Sequence, residues 1–363
     1  MEGRDEKRLA TAKDKLTDTS FPLIVIGASA GGFEMIKEIV SKLPGDLNAA
    51  VFIVWHISAA TSGILPQVLN RYKTLEANHG YDGEPIKPRR IYIAPPDHHM
   101  LVENGTVRIT RGPKENRFRP AIDPLFRSAA FYYGRKVTGV ILSGALDDGT
   151  AGLWAVKHYG GKAIVQDPME AEVRSMPESA LRHVDVDYCL TVKEIIKYLV
   201  KMAGQKNFEN EGKDMEKDKK TEAEIRIAAE YNALEANIMK FGELTPFTCP
   251  ECHGVLTALT EEKIERYRCH TGHAFSADSL LDALTENIEE SLYNAIRGVD
   301  ESIMLLNHMG DHFAEINQTK IAALYFKKAK EASDRSLLMR QAVVNHEHLN
   351  RQSIQGELLN KES

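Results

Sequence analysis

No uninterrupted apolar stretch in this chain reaches the about 18 residues that a membrane-spanning helix needs, and Met1 to Ser20 is charged, without the apolar core of a secretion signal. These two gaps point to a cytoplasmic protein with no membrane insertion. A strong excess of one charge is also missing: the formal net charge is −6, which excludes a general nucleic-acid binder. Cysteine is scarce. Of 4 cysteines, Cys249, Cys252 and Cys269 lie close together, which suits metal binding better than a secreted disulfide framework. Cys189 stands alone in an apolar stretch and reads as a core residue. No internal repeat is visible.

What is present is enough for two domains, each with its own core: 363 residues, 43% of them hydrophobic. After the polar segment 1–20, residues 21–202 alternate strand-like and helix-like patterns. They predict an α/β domain with a doubly wound, mostly parallel sheet and helices on both faces. Strands are expected at 23–27, 50–55, 90–94, 107–110, 137–143, 163–165 and 188–190, and helices near 32–42, 61–71, 122–133, 149–159, 176–182 and 192–202. Residues 203–221 are dense in Lys, Glu, Asp and Asn and read as a charged linker. A helix over 222–246 follows, then a small cysteine-containing module over 247–275. Two long helical stretches within 276–363 are expected to form an antiparallel hairpin and tail, with apolar positions at Ile321, Leu324, Phe326, Ala329, Leu337, Leu338, Val343 and Val344.

The first strand runs into Gly27-Ala28-Ser29-Ala30-Gly31-Gly32. This places a serine hydroxyl on a tight strand-to-helix turn at the carboxyl end of a buried strand, where ligands bind in open α/β sheets. A phosphate cradle of the dinucleotide-binding kind is the rival reading. It is weakened because Ser29 occupies the middle glycine position of that fingerprint, and the second strand ends in His56 where a ribose-binding acid would stand. A nucleophilic serine needs a base, and strand pairing would bring His56 to the same edge. The strand over 137–143 ends in Asp147-Asp148, either of which could orient the imidazole. Backbone N–H groups after the serine and in the Gly144–Leu146 turn could form an oxyanion hole. Arg117 and Arg119, in a basic loop before a helix, could bind a substrate carboxylate or an acidic receptor surface.

These motifs carry a resemblance. The serine turn, Trp55-His56, Tyr92-Ile93-Ala94-Pro95-Pro96-Asp97-His98-His99-Met100, Arg117-Phe118-Arg119-Pro120-Ala121-Ile122-Asp123-Pro124-Leu125-Phe126 and Ser143-Gly144-Ala145-Leu146-Asp147-Asp148-Gly149 look like the catalytic domain of the chemotaxis protein-glutamate methylesterases (CheB type). The likeness implies hydrolysis of γ-glutamyl methyl esters on chemoreceptor helices with release of methanol, and in many members deamidation of glutamine. By position it puts the nucleophile on Ser29, the histidine on His56, the aspartate on Asp148 and an oxyanion-hole position on Ala145, beside the backbone of Ala30. His98 resembles a family feature near the edge of the site. Departures are Ala30 for the usual Thr, Trp55 for the usual Gln, and Ser143-Gly144-Ala145-Leu146 for the usual Thr-Gly-Met-Gly. Standard members also carry a phosphorylatable receiver domain. Only the polar segment 1–20 precedes the first strand here, so control within the chain by aspartyl phosphorylation is not expected, and a regulatory partner could act through the C-terminal region.

Cys249-Pro250-Glu251-Cys252 and Cys269-His270-Thr271-Gly272-His273 give the spacing C-x2-C-x16-C-x3-H. Two turns joined by a short hairpin would supply four ligands at tetrahedral reach, as structural zinc requires. His273 is the expected fourth ligand, since Gly272 lets the chain turn back; His270 is the alternative. No cofactor is expected for catalysis. Two further functions stay open from the sequence: a scaffold that keeps the esterase shell to recruit partners, and a serine esterase acting on small molecules.

Overall fold

The structure, a computed structural model, describes residues 21–56, 63–204, 218–230, 233–349 and Ile354. It divides into two compact units, one ending at Ser279 and one beginning at Leu280. In the first, the apolar runs become β1 (Leu23–Ala28), β2 (Ala50–Trp55), β3 (Glu76–His79), β4 (Arg90–Ile93), β5 (His99–Glu103), β6 (Thr106–Thr110), β7 (Val137–Ile141), β8 (Lys162–Gln166) and β9 (Tyr188–Leu190). Among the described residues, seven of these form one parallel sheet in the order β3-β4-β2-β1-β7-β8-β9; β5 and β6 pair separately as an antiparallel hairpin.

Every residue of β1 is buried, and alternation sends its side chains to opposite cores. Leu23 and Val25 join Phe52 and Val54 on one face, whereas Ile24 and Ile26 join Val51 and Ile53 on the other. The first face is covered by α3 (Ile122–Tyr133), α4 (Thr150–His158) and α5 (Ser175–His183), and the second by α1 (Gly32–Lys42), α2 (Leu65–Asn70) and α6 (Val192–Ala203). This is the doubly wound arrangement expected from the sequence. Each aliphatic side chain buried on either face contributes about 1.5–3 kcal/mol. The chain leaves β1 toward β2 on one side and returns to β7 on the other. The carboxyl ends of β1 and β7 therefore mark the switch point of the sheet, where a crevice opens.

Several expectations need correction. Cys189 is exposed, because β9 is the outermost strand and presents Tyr188 and Cys189 away from the core. Neither β3 nor β5 is among the expected strands; the sequence of β3, Glu-Ala-Asn-His, is polar, and as the opposite edge strand it fully buries only Ala77. The helix expected over 222–246 is instead α7 (Lys219–Ala228), a 3-10 turn at Ile238–Phe241 and a strand, β10 (Glu243–Thr248). The left-handed backbone of Glu230 (φ 71°) prevents continuation of α7. The expected linker lies mostly outside the described residues, as do segment 1–20 and the start of the helix expected at 61. The last part of the linker enters α7, whose cap Asp218 accepts from the Thr221 amide at 2.8 Å.

The cysteine module is a four-stranded antiparallel ribbon of β10, β11 (Val255–Glu261), β12 (Ile264–Cys269) and β13 (Ala274–Ser276). It belongs to the same compact unit as the α/β sheet, and buried ion pairs join the two. Arg266 of β12 makes a bidentate pair with Glu224 of α7 at 2.8 and 2.7 Å. Arg268 reaches Glu115 at 2.8 Å and Glu224 at 3.1 Å, and Arg127 of α3 pairs with Glu115 at 2.9 Å. Burial would raise the Glu115 carboxyl, but Arg127 and Arg268 outweigh it and hold the pKa down to about 2.

In the second unit, α8 (Ala277–Glu315) and α9 (Thr319–Val344) supply an antiparallel pair: Phe313 stacks on Tyr325, and Asp300 binds Ser336 and Arg340. On α9, the buried residues are Ala322, Ala329, Ala332 and Ser336, a narrow small-residue seam, while Leu324, Leu337, Leu338 and Val344 are exposed.

Removing one member of a buried ion network leaves its partners uncompensated. The substitution Arg268→Ala is expected to destabilise the first unit by about 3–5 kcal/mol, read by urea unfolding.

Candidate active site

Ser29 follows the last residue of β1 and His56 the last residue of β2. The ladder pairs Ala28 with Trp55, and the His56 amide donates to the Ala28 carbonyl at 3.0 Å, so the two residues stand side by side at the sheet edge. The Ser29 amide donates to the Ser143 carbonyl at 3.0 Å, tying this turn to the end of β7. The positive φ of the turn falls on Gly31 (73°), the cap residue just before α1. Trp55 donates from Nε1 to the Ser29 carbonyl at 3.2 Å, fixing the turn from the other side. At Gly144 a Cβ would lie 2.8 Å from the Ser29 Cβ and collide with Met176, so only glycine lets this loop approach the serine.

Asp148, from the turn after β7, accepts from His56 Nε2 at 2.7 Å; both side chains are buried. The same carboxylate accepts from the amides of Ile122 at 2.7 Å, Gly149 at 2.9 Å and Asp123 at 3.3 Å, and from Asn116 Nδ2 at 2.9 Å. Burial acts to raise its pKa, but the hydrogen bond and charge of His56, with the Ile122 amide and Asn116, hold it below the usual carboxylate range. With Nε2 committed to Asp148, the other ring nitrogen, Nδ1, is buried and has no hydrogen-bond partner among the described residues. Phe118 stacks on the imidazole at 3.8 Å between ring centroids and 10° between planes.

The serine turn thus lies beside a buried imidazole–carboxylate pair at the switch point of a parallel α/β sheet. The family model for CheB methylesterase matches residues 24–199. A protein of Leptospira interrogans named as a protein-glutamate methylesterase/protein-glutamine glutaminase is 38% identical over 191 residues, covering 52% of this chain and 98% of that one. The chain belongs to the CheB methylesterase family. An Anaeromyxobacter dehalogenans protein-glutamate methylesterase/protein-glutamine glutaminase is 35% identical over 173 residues, 48% of this chain but only 51% of that one. The crystal structure of the Thermotoga maritima CheB methylesterase catalytic domain shares 34% identity, covers 50% of this chain and 98% of that one, and superposes with a TM-score of 0.48. The family match ends before α7, the ribbon and the helical pair.

Within this CheB-type frame, the remaining expected site residues divide. Ala30 and Ala145 are exposed on the two turns that flank Ser29, whereas the Gly144 amide is committed to the Val173 carbonyl at 3.0 Å. Arg119 is engaged in bracing its loop: it binds Asp97 at 2.7 and 2.9 Å and the Gly112 carbonyl at 2.9 Å. His98 Nδ1 lies 2.9 Å from the Pro96 carbonyl oxygen, and Arg117 is half-buried beside Phe118. Three residues next to the histidine and aspartate were not singled out from the sequence: Asn116, Phe118 and Asp123. Phe118 and Asp123 lie inside the quoted family motif and Asn116 immediately before it, so their proximity in sequence to Arg117 and Arg119 was the available signal.

The cysteine module brings Cys249, Cys252, Cys269 and His273 together with all ligand atoms within 4.8 Å of one another; His270 is not in the cluster. The Cys252–Cys269 sulfur separation and both closest thiol approaches to His273 Nδ1 are 3.7 Å. A tetrahedral ion with metal–sulfur bonds of about 2.3 Å requires edges of about 3.8 Å, so this donor set fits a metal ion.

Asp123 is buried beside Asp148. Burial first, then the charge of Asp148, pushes its pKa up to about 8 against the pull of Arg127 and Arg266. A carboxyl raised in the folded state gives stability that is complete below the ordinary carboxylate range and lost once the pH has risen through about 8. In thermal melts, the advantage of the native chain over Asp123→Asn is expected to shrink from about pH 5 to about pH 8 and then stay constant.

Proposed function

We propose that this chain is a protein-glutamate methylesterase that hydrolyses γ-glutamyl methyl esters on helical, chemoreceptor-like proteins to glutamate and methanol, and that it deamidates glutamine through the same intermediate. The observation that carries this reading is the His56–Asp148 hydrogen bond of 2.7 Å at the end of the strand beside Ser29, with Nδ1 left for the serine. The names of the relatives point to the same reaction class.

In this mechanism Ser29 Oγ attacks the ester carbonyl while His56 Nδ1 takes its proton. Asp148 stays ionised, fixes the tautomer and stabilises the imidazolium. The amides of Ala30 and Ala145 receive the oxyanion, each worth roughly 3 kcal/mol in the transition state. His56 then returns the proton to the methoxide oxygen, methanol departs, and a water activated by the same nitrogen hydrolyses the acyl-enzyme. For glutamine the leaving group is ammonia and the acyl-enzyme is identical.

The cysteine cluster is proposed to hold a zinc ion with four protein ligands. Such a closed site supplies folding free energy to a small ribbon instead of an open position for chemistry. Three free thiols in one cluster suit a reducing, cytoplasmic setting.

With a methylated receptor fragment as substrate, Ser29→Ala is expected to abolish methanol release. Asp148→Asn is expected to lower kcat about 10,000-fold while leaving the serine turn intact. Unchanged methanol release in Ser29→Ala would remove this function.

A further inference from the structure

The ribbon supplies part of the shell around Asp148. Asn116 is buried, and its side chain is filled on both ends. Nδ2 donates to Asp148 Oδ1 and to Asp123 Oδ2, each at 2.9 Å. Oδ1 accepts from the Ser276 amide at 2.9 Å and the Ser279 hydroxyl at 3.2 Å. Two carboxyl groups on one side and two donors on the other leave only one orientation of this amide. The Asn116 backbone is held as well, its N–H donating to the Ala274 carbonyl at 2.8 Å. Asn116 and Arg117 take consecutive left-handed conformations (φ 49° and 73°), which persist only where the surroundings over-determine them.

The residues that do this holding adjoin metal ligands. His273 immediately precedes Ala274, the first residue of β13, and Ser276 ends that strand. Arg268, which pairs with Glu115 next to Asn116, immediately precedes Cys269 and donates to the Gly272 carbonyl at 2.7 Å inside the same turn. Ser276 Oγ also donates to Asp147 at 2.6 Å, touching the turn that carries Asp148. A turn tied by Cys269 and His273 to a common ion therefore sets where Ala274 and Ser276 stand, and through them where Asn116 points.

We propose that Asn116 is a positioning residue that couples the metal-binding turn of the ribbon to the catalytic carboxylate, so that metal occupancy of Cys249, Cys252, Cys269 and His273 sets the turnover of the esterase. This rests on the esterase reading above. The ion acts through the chain: it orders the Cys269–His273 turn, the turn orders β13, and β13 aims the Asn116 amide at Asp148. Substrate does not meet any of these groups, so the effect falls on kcat.

The test uses the full chain with zinc as the probe and two readouts: the far-downfield proton resonance of His56 Nε2–H, and methanol release. The purified protein is expected to bind about one equivalent of zinc. Stripping it with a chelator, or substituting Asn116→Ala, should weaken the resonance and lower kcat about 10- to 100-fold, with KM changed less than about twofold. Added zinc should restore the stripped native protein but not Asn116→Ala. Ser279→Ala, which keeps the Ser276 amide, should give a smaller loss in the same direction and serves if Asn116→Ala does not fold. A resonance indifferent to zinc removal and to both substitutions overturns the coupling, whatever the activity. A resonance that responds to zinc in a protein releasing no methanol supports the coupling and overturns the esterase reading.

Discussion

The structure depends on keeping the Asp148 carboxylate charged while it is 1% exposed. An ionised carboxylate without partners at that depth would take up a proton instead. Five donors prevent this: His56, three backbone amides and Asn116. They come from different parts of the chain. β2 delivers the histidine, the first turn of α3 delivers the Ile122 and Asp123 amides, and the loop before α3 delivers Asn116. The sheet order, the entry angle of α3 and the docking of the ribbon all serve this one group.

The same requirement bears on the imidazole: the proposed mechanism uses the Nδ1 that the Asp148–Nε2 hydrogen bond leaves over, under the ring of Phe118 and on the strand end beside the serine turn. Orientation comes from the sheet: parallel pairing sets Ser29 against His56, and the switch point opens the crevice between β1 and β7. Neighbouring Asp123 shows the opposite outcome for the same residue type. Burial and the charge of Asp148 outweigh the pull of Arg127 and Arg266 and push its pKa up.

Much of this was legible because it is local or periodic. The helix read over 122–133 is α3 to the residue, and that over 32–42 is α1, since apolar spacing marks a face whatever packs against it. Ser29 and His56 were legible because each directly follows a strongly apolar strand; the residues alone left Asp147 and Asp148 open, and only the family resemblance pointed to Asp148. What stayed hidden is non-local. Asn116 meets Ser276 across 160 positions, and no spacing rule connects them. Arg266 and Arg268, two residues apart on β12, both face Glu224 in the interior, and no local pattern marks two arginines as buried. Cys189 looked like core because strand composition does not reveal which strand is at the edge. In α9, of the expected apolar positions only Ala329 is buried, in a seam with Ala322, Ala332 and Ser336, because close helix approach favours small side chains.

A crystal structure of the protein inactivated by a methyl fluorophosphonate tests the arrangement around His56 most directly. The expected result is phosphorus bonded to Ser29 Oγ, its oxygen at the Ala30 and Ala145 amides, Nδ1 of His56 within hydrogen-bond distance of Oγ, and Nε2 still on Asp148. An unmodified Ser29, or an imidazole turned so that Nδ1 faces Asp148, would contradict it.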